Sequence, residues 1–503
     1  MEIRVKGWKV RGPRSIGIIC LALAGAIASP AQDEQPSSST IKFKLLGSFG
    51  NDGAYPDGLT QAFDGNLYGT ALFGGLYGAG TVFQVSPSGT VTTIYNFCVQ
   101  TNCADGAVPN QFGPLALGAD GNLYGKTGGG GSTNNGTIFK LTTSGELTVL
   151  YNICSQPNCT DGYDGDPTGL VRGIDGNFYG VMGGGGANNS ACNGGFTGTG
   201  CGTVYKITPQ GAFNTIYNFC SLANCADGYS PYTTLVSGAD GNLYGITPLG
   251  GANGYGTVYR ITLNGTLTTL YSFGAADGNC GYYSCAPMVQ AADGSFYGTT
   301  PYGGANGAGT IFQITPSGSF TTIYNFCSQP YCSDGNSPYP LVRASDGNFY
   351  GGTCCGADGG GTIFQLTPAG AMTTLHVFEG LIGQYPGGAS PFAMAQGTNG
   401  MLYGLTSGGG ASGGGAAFSL GAGLRPFVEA VPGAGKHGMT VNILGTSLSG
   451  ATTVSFNSIP AAFTAVSNSL ITATVPAGAA TGFITVTTPG RTFKSNVIFQ
   501  VRP

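Results

Sequence analysis

Charge is what this chain of 503 residues has least of: Asp, Glu, Lys and Arg together make up only 8% of it. Hydrophobic residues make up 41%, and few charges with ample apolar surface suit folded β-structure better than a disordered tail. Histidine is scarcer still, with only His376 and His437 present, so a histidine-dependent hydrolase has few pieces to work with. The sequence contains no Gly-x-Ser-x-Gly elbow set between a strand and a helix, its one match to that spacing, at 410–414, lying inside a glycine run, and it has no His-Glu-x-x-His pair and no phosphate loop ending in Gly-Lys-Ser/Thr. Those absences remove the usual nucleophile, metalloprotease and nucleotide signatures.

Long apolar runs are missing too. Residues 16–28 form an apolar stretch behind Arg4, Lys6, Lys9, Arg11 and Arg14, which predicts a secretory signal peptide over 1–28 and a linker over 29–40. An uncleaved anchor is the rival reading, for which so short a run is poorly suited. Ile19 before Cys20 is bulky where a lipid-attachment signal wants a small residue. Without residues 1–28 the chain keeps 21 acidic and 13 basic residues, a net charge of −8, which makes nucleic acid a poor general partner.

What the chain has in abundance is glycine, 93 residues, and a repeated hexapeptide. Asp-Gly-Asn/Ser-Leu/Phe-Tyr-Gly begins at Asp64, Asp120, Asp175, Asp240, Asp293 and Asp346, and returns in worn form at Asn399. Its tyrosines, Tyr68, Tyr124, Tyr179, Tyr244, Tyr297, Tyr350 and Tyr403, are 56, 55, 65, 53, 53 and 53 residues apart. One repeat reads as four short strands, for example 340–344, 348–353, 361–366 and 372–378, each bounded by turn chemistry. Asp346-Gly347 makes the first hairpin and Thr367-Pro368-Ala369-Gly370 the third connection. Four antiparallel strands seven times over predict an all-β, seven-bladed β-propeller over residues 41–422. Residues 41–49 resemble a fourth strand with no blade of their own, so they are expected to complete the seventh blade beside 415–420. In that topology the short turns share one face, and the glycine-rich and cysteine-bearing loops share the other.

Cysteine pairs recur at one spacing: Cys98/Cys103, Cys154/Cys159, Cys220/Cys225, Cys280/Cys285 and Cys327/Cys332. Successive repeats supply no converging ligand set, so local disulfides are expected, with free or metal-bound thiols as the other reading. Cys192 and Cys201 are expected to form a further clip across an insertion in the third repeat.

Residues common to every repeat are structural on the simplest view, which directs attention to the exceptions. The fifth cysteine loop carries Tyr282 and Tyr283, either aromatic platforms for a ligand or packing between loops. Asp164 and Asp166 are the densest addition to a series of loop carboxylates, Asp105, Asp161, Asp227 and Asp334, with Asp57 and Asp277 in approximate register. That series suits turn capping, with a bound structural calcium as the other reading. Glu379 lies near His376 as an acid/base candidate, with packing as the plainer role. Cys354 and Cys355 either close on one another or pair elsewhere.

From residue 423 the repeat gives way to short alternating strands, at 440–444, 453–456, 462–466, 470–475, 482–488 and 496–501, which suit an immunoglobulin-like sandwich over 423–503. The stamp followed by Gly-Gly-x-x-Gly-x-Gly-Thr-Val/Ile-Phe/Tyr, at 250–259 and 303–312, resembles the glycine-rich GloVer tandem repeats of bacterial surface proteins with varied C-terminal anchors. The tail, with Asn442-Ile443-Leu444-Gly445 and Ala473-Thr474-Val475-Pro476, is similar to an IPT/TIG domain. The resemblance implies an exported bacterial protein and brings no catalytic residues to transfer. The expected function is therefore a secreted or cell-surface, non-catalytic binding or scaffold protein that recognises glycan or extracellular protein through the long-loop face. A carbohydrate-active enzyme, glycosidase or polysaccharide lyase, is the alternative, and a structural envelope protein the third.

Overall fold

Each stamp folds as a hairpin whose chemistry explains its composition. In the first repeat Asp64 accepts the backbone N–H of Asn66 at 3.0 Å and the hydroxyl of Tyr68 at 2.6 Å. The same Tyr-to-Asp bond recurs at Tyr124, Tyr179, Tyr244 and Tyr350, at 2.7–2.9 Å. The tyrosine ring is buried between blades, where Tyr124 stacks on Phe178 of the next blade with centroids 4.0 Å apart. Tyr244 on Phe296 and Tyr297 on Phe349 repeat the contact. The last glycine of the stamp is needed for space: a Cβ on Gly125 would stand 2.6 Å from the Phe139 ring.

In the computed structural model, residues 41–502 are described except 51–52, 111–112, 164–167, 189–191, 193–199, 281–285, 357–358 and 380–386. Seven antiparallel sheets with four strand positions each follow one another, six of them with their strands in sequence order from inside to outside. The third blade is typical, with Val171–Arg172, Phe178–Met182, Thr203–Ile207 and Phe213–Asn218. This is a seven-bladed β-propeller. In the second and sixth blades the inner strand is broken into two pieces, Ala107–Pro109 with Ala116–Leu117 and Asn336–Pro338 with Val342–Arg343. The expected inner strand over 340–344 is thus shorter than the sequence suggested. Pro340 lacks an N–H, and an edge position against the channel tolerates that loss.

Closure takes the expected form. Lys42–Ser48 pairs antiparallel with Ala416–Gly421 and completes the seventh blade. Two details mark it as a true fourth strand. Its register shifts between Leu45 and Gly47, as the outer pairs of the other blades shift, for example between Val204 and Tyr205. Phe49 N–H donates to Gly415 O just as Phe97 does to Gly80 and Phe219 to Gly202. At the first hairpins, glutamines tie neighbouring blades: Gln61 accepts from Thr398 N–H, Gln290 from Ala239 N–H and Gln396 from Ser345 N–H, at 2.8–2.9 Å.

The C-terminal part is a sandwich of two four-stranded sheets over a shared core that includes Val441, Ile443, Val454, Phe456, Ile471, Val486 and Phe493. Arg491–Lys494 and Ala434–Lys436 are elements its alternation did not reveal, and the strand expected over 496–501 is Gln500–Arg502, paired parallel with Ala434–Lys436. Propeller and sandwich belong to one compact unit, Thr40–Pro503.

Candidate functional site

The sandwich sits on the short-turn face. Ser469 Oγ donates to Phe63 O at 2.7 Å and Asn442 Nδ2 to Ala119 O at 2.9 Å, so it touches the first hairpins of blades one and two. Gln500 bonds Ala239 O, Phe427 N–H donates to Thr398 O, and Ser345 donates to Arg425 O, which adds blades four, seven and six. Between sandwich and ring lies a chamber of about 510 Å³, lined in part by Arg172, Ser237 and Glu429. Glu429 is exposed to the chamber but otherwise ringed by protein, and that enclosure raises its carboxyl pKa. Burial likewise lowers the pKa of Arg172, while Asp120 favours its charge.

The opposite face carries the long loops. Among the described residues, the large hydrophobic side chains that the propeller exposes lie on this long-loop face, except for Ile41 and Leu45 on the closing strand. Leu76 and Tyr77 stand on the glycine-rich loop of blade one, Tyr255 and Tyr302 on those of blades four and five, and Leu222 and Tyr331 on cysteine loops. Tyr331 is 91% exposed and takes φ 58°, ψ 23°. Its counterparts are Asn102, Asn158 and Asn224, all at φ 56–58°. Asparagine enters the left-handed region at modest cost, whereas a bulky side chain there is an outlier. An exposed tyrosine gains no packing to offset that cost.

The cysteine loops that carry these side chains are tightly organised. Disulfides join Cys98–Cys103, Cys154–Cys159, Cys192–Cys201, Cys220–Cys225 and Cys327–Cys332. Cys280 is disulfide-bonded as well, and Cys285 lies outside the described residues. Asp105, Asp161, Asp227 and Asp334 each accept a hydroxyl from a fourth-strand tyrosine at 2.7–2.8 Å and backbone N–H groups of their loop. Asp277 accepts from Tyr271 and Gly274 in the same manner. Their oxygens are committed to capping. Asp57 departs from the register assigned to it: it lies on the inner strand of blade one, buried, accepting from Gly113 N–H at 3.3 Å. Burial lifts its carboxyl pKa well above the ordinary value.

Asp57 borders an apolar crevice of about 270 Å³ at the long-loop end of the channel, with Tyr302, Pro338, Tyr339, Cys354 and Phe392 around it. Sequence reasoning missed this crevice, because its walls come from inner-strand starts and not from repeated motifs. Of the residues singled out in advance, Glu379 is exposed at the mouth of its loop. Asp164, Asp166, Tyr282 and Tyr283 lie outside the described residues. His376 is a packing residue: its ring stacks on Phe43 of the closing strand at 4.0 Å, and burial lowers its pKa.

Two family models match the chain. The Gloeobacter/Verrucomicrobia repeat matches residues 34–193 and 190–331, and an IPT/TIG domain matches 428–501. No curated protein matches the chain. Similar solved structures include virginiamycin B lyase from Staphylococcus aureus, at 15% identity, 76% of this chain, 99% of that one and a TM-score of 0.48. A gluconolactonase from Xanthomonas campestris gives 11% identity, 76% and 89% coverage and a TM-score of 0.39. The PQQ-bound aldose sugar dehydrogenase from Streptomyces coelicolor gives 15%, 77%, 99% and 0.38. Among the described residues no helix is long and apolar enough to cross a membrane.

Proposed function

The chain belongs to the Gloeobacter/Verrucomicrobia repeat family, and from that premise we propose that it is an exported binding protein whose long-loop face recognises glycan. One observation carries the reading: the propeller's exposed aromatic and aliphatic side chains gather on this face, while the opposite face is occupied by the chain's own sandwich. Sugar rings offer apolar C–H faces to aromatic platforms, and a tyrosine such as Tyr331 adds a hydroxyl for the ring's edge. A face built from loops capped by disulfides and carboxylates is stiff before it binds, which limits the ordering cost of association. Export is supported by the signal-like first segment and by the disulfides.

An enzymatic reading has one observation in its favour, the buried carboxyl of Asp57 with its raised pKa in the crevice. Among the described residues that line the crevice, Asp57 is the only carboxylate, and hydrolysis of a glycosidic bond ordinarily uses two. Binding is therefore the better account. The full chain on a neutral-glycan array should give saturable signals, and Tyr331→Ala should weaken them by about threefold to tenfold, the worth of one aromatic contact. Binding to proteins alone, or release of reducing ends from a polysaccharide panel, would overturn the glycan-binding reading.

A further inference from the structure

Cys354 and Cys355 are the pair left outside the recurring disulfides. They end the second strand of blade six, Phe349–Cys355, and their sulfurs stand 3.0 Å apart as free thiols. Cys354 forms part of the crevice wall beside Tyr339, and Ser390 Oγ donates to its carbonyl at 2.9 Å. The same chain holds five described disulfides, so it matures where thiols are oxidised.

We propose that Cys354 and Cys355 are a modification site, closing on one another as a vicinal disulfide by exchange with a small-molecule disulfide or a disulfide-bearing oxidoreductase. The Cys354 thiolate, facing the crevice, attacks one sulfur of the donor, forming a mixed disulfide and releasing the donor's other sulfur as a thiolate. Cys355, having given up its proton, then attacks the Cys354 sulfur and expels the second donor sulfur. The two protons lost by the cysteines end on the two donor thiols. Two electrons pass from the pair to the donor, whose own S–S bond is the bond broken.

Local backbone permits the closure. Pairing of this strand with the third strand ends at Gly352–Ile363, and beyond it the strand is paired on its inner side, with Thr353 opposite Pro338 and Cys355 opposite Asn336. The peptide between the two cysteines is therefore laddered on one side instead of two. Neighbouring Cα atoms are about 3.8 Å apart across a trans peptide, below the usual disulfide span, so the ring is strained and more easily reduced than Cys192–Cys201, whose Cα atoms are 5.3 Å apart. The bond would replace the Cys354 thiol on the crevice wall with a rigid, apolar disulfide beside Tyr339 and Phe392. This assignment stands independently of the glycan reading.

The test is mass spectrometry of the full chain, purified without reductant, incubated with oxidised glutathione and alkylated in denaturant. The peptide carrying both cysteines should be unalkylated and about 2 Da lighter than the dithiol form. In Cys354→Ser, whose fold is checked by near-ultraviolet circular dichroism, Cys355 should become modifiable. Graded dithiothreitol should open the pair at about tenfold lower concentration than Cys192–Cys201. Two alkylated cysteines, a link from either one to another cysteine, or opening no earlier than Cys192–Cys201 would overturn the proposal.

Discussion

Two side chains break the repeat in ways that single substitutions can measure. Tyr331 takes a left-handed conformation that its counterparts reach with asparagine. Tyr331→Asn should therefore raise stability by about 1 kcal/mol in urea unfolding under non-reducing conditions, while glycan binding falls. A gain in one with a loss in the other separates a functional residue from an accident of packing. Asp57 carries a pKa raised by burial. Its neutral form fits the site, so its contribution is intact below the ordinary carboxylate range and is lost as pH rises through the elevated value. Asp57→Asn, whose amide oxygen can still accept from Gly113, should flatten that decline and raise the melting temperature more at pH 8 than at pH 4. The Tyr331 signal was legible in principle, since Pro-Tyr-Cys stands where other repeats have an Asn before the Cys. The Asp57 environment was not, because only its position on the inner strand, away from the capping series, makes it a channel residue.

At the scale of elements, the hairpin stamp does more than turn the chain. Its aspartate holds a buried tyrosine hydroxyl, and the tyrosine ring fills the space between blades. Tyr179→Phe keeps the ring and deletes the bond to Asp175 at 2.8 Å; it should cost about 1–2 kcal/mol in chemical unfolding. Lys206 also reaches Asp175 at 2.8 Å, and this partly exposed pair should moderate the loss. The second, third and fourth strands were readable from periodicity, and 372–378 differs from Met372–Val377 by a residue. Inner strands were overestimated because prolines and the channel leave them one-sided. The sandwich's docking could not be read at all: it uses scattered hydroxyls and amides, Ser469, Asn442 and Gln500, against backbone carbonyls of hairpin tips. No motif encodes such contacts.

For the whole molecule, the count of seven matters less than how the ring is shut. The seventh blade takes its outer strand from the opposite end of the propeller sequence, so residues 42–48 hold together segments more than 360 positions apart. Phe43 anchors this strand, stacked on His376 at 4.0 Å and packed edge-on to Phe378 at 5.5 Å. Gln61 supplies a second tie across the closure by accepting Thr398 N–H at 2.9 Å. Phe43→Ala should cost about 3 kcal/mol, toward the lower end for an aromatic truncation because the site is only partly buried. Starting the chain at Gly50 instead of Ile41 is the stronger test. It removes the whole strand and leaves Ala416–Gly421 as an unpaired edge, the kind of surface that recruits a strand from another copy. Light scattering should then show concentration-dependent association absent from the chain that starts at Ile41, together with a lower melting temperature. An unchanged melting temperature and mass would mean that the glutamine ties and sandwich contacts close the ring without the strand.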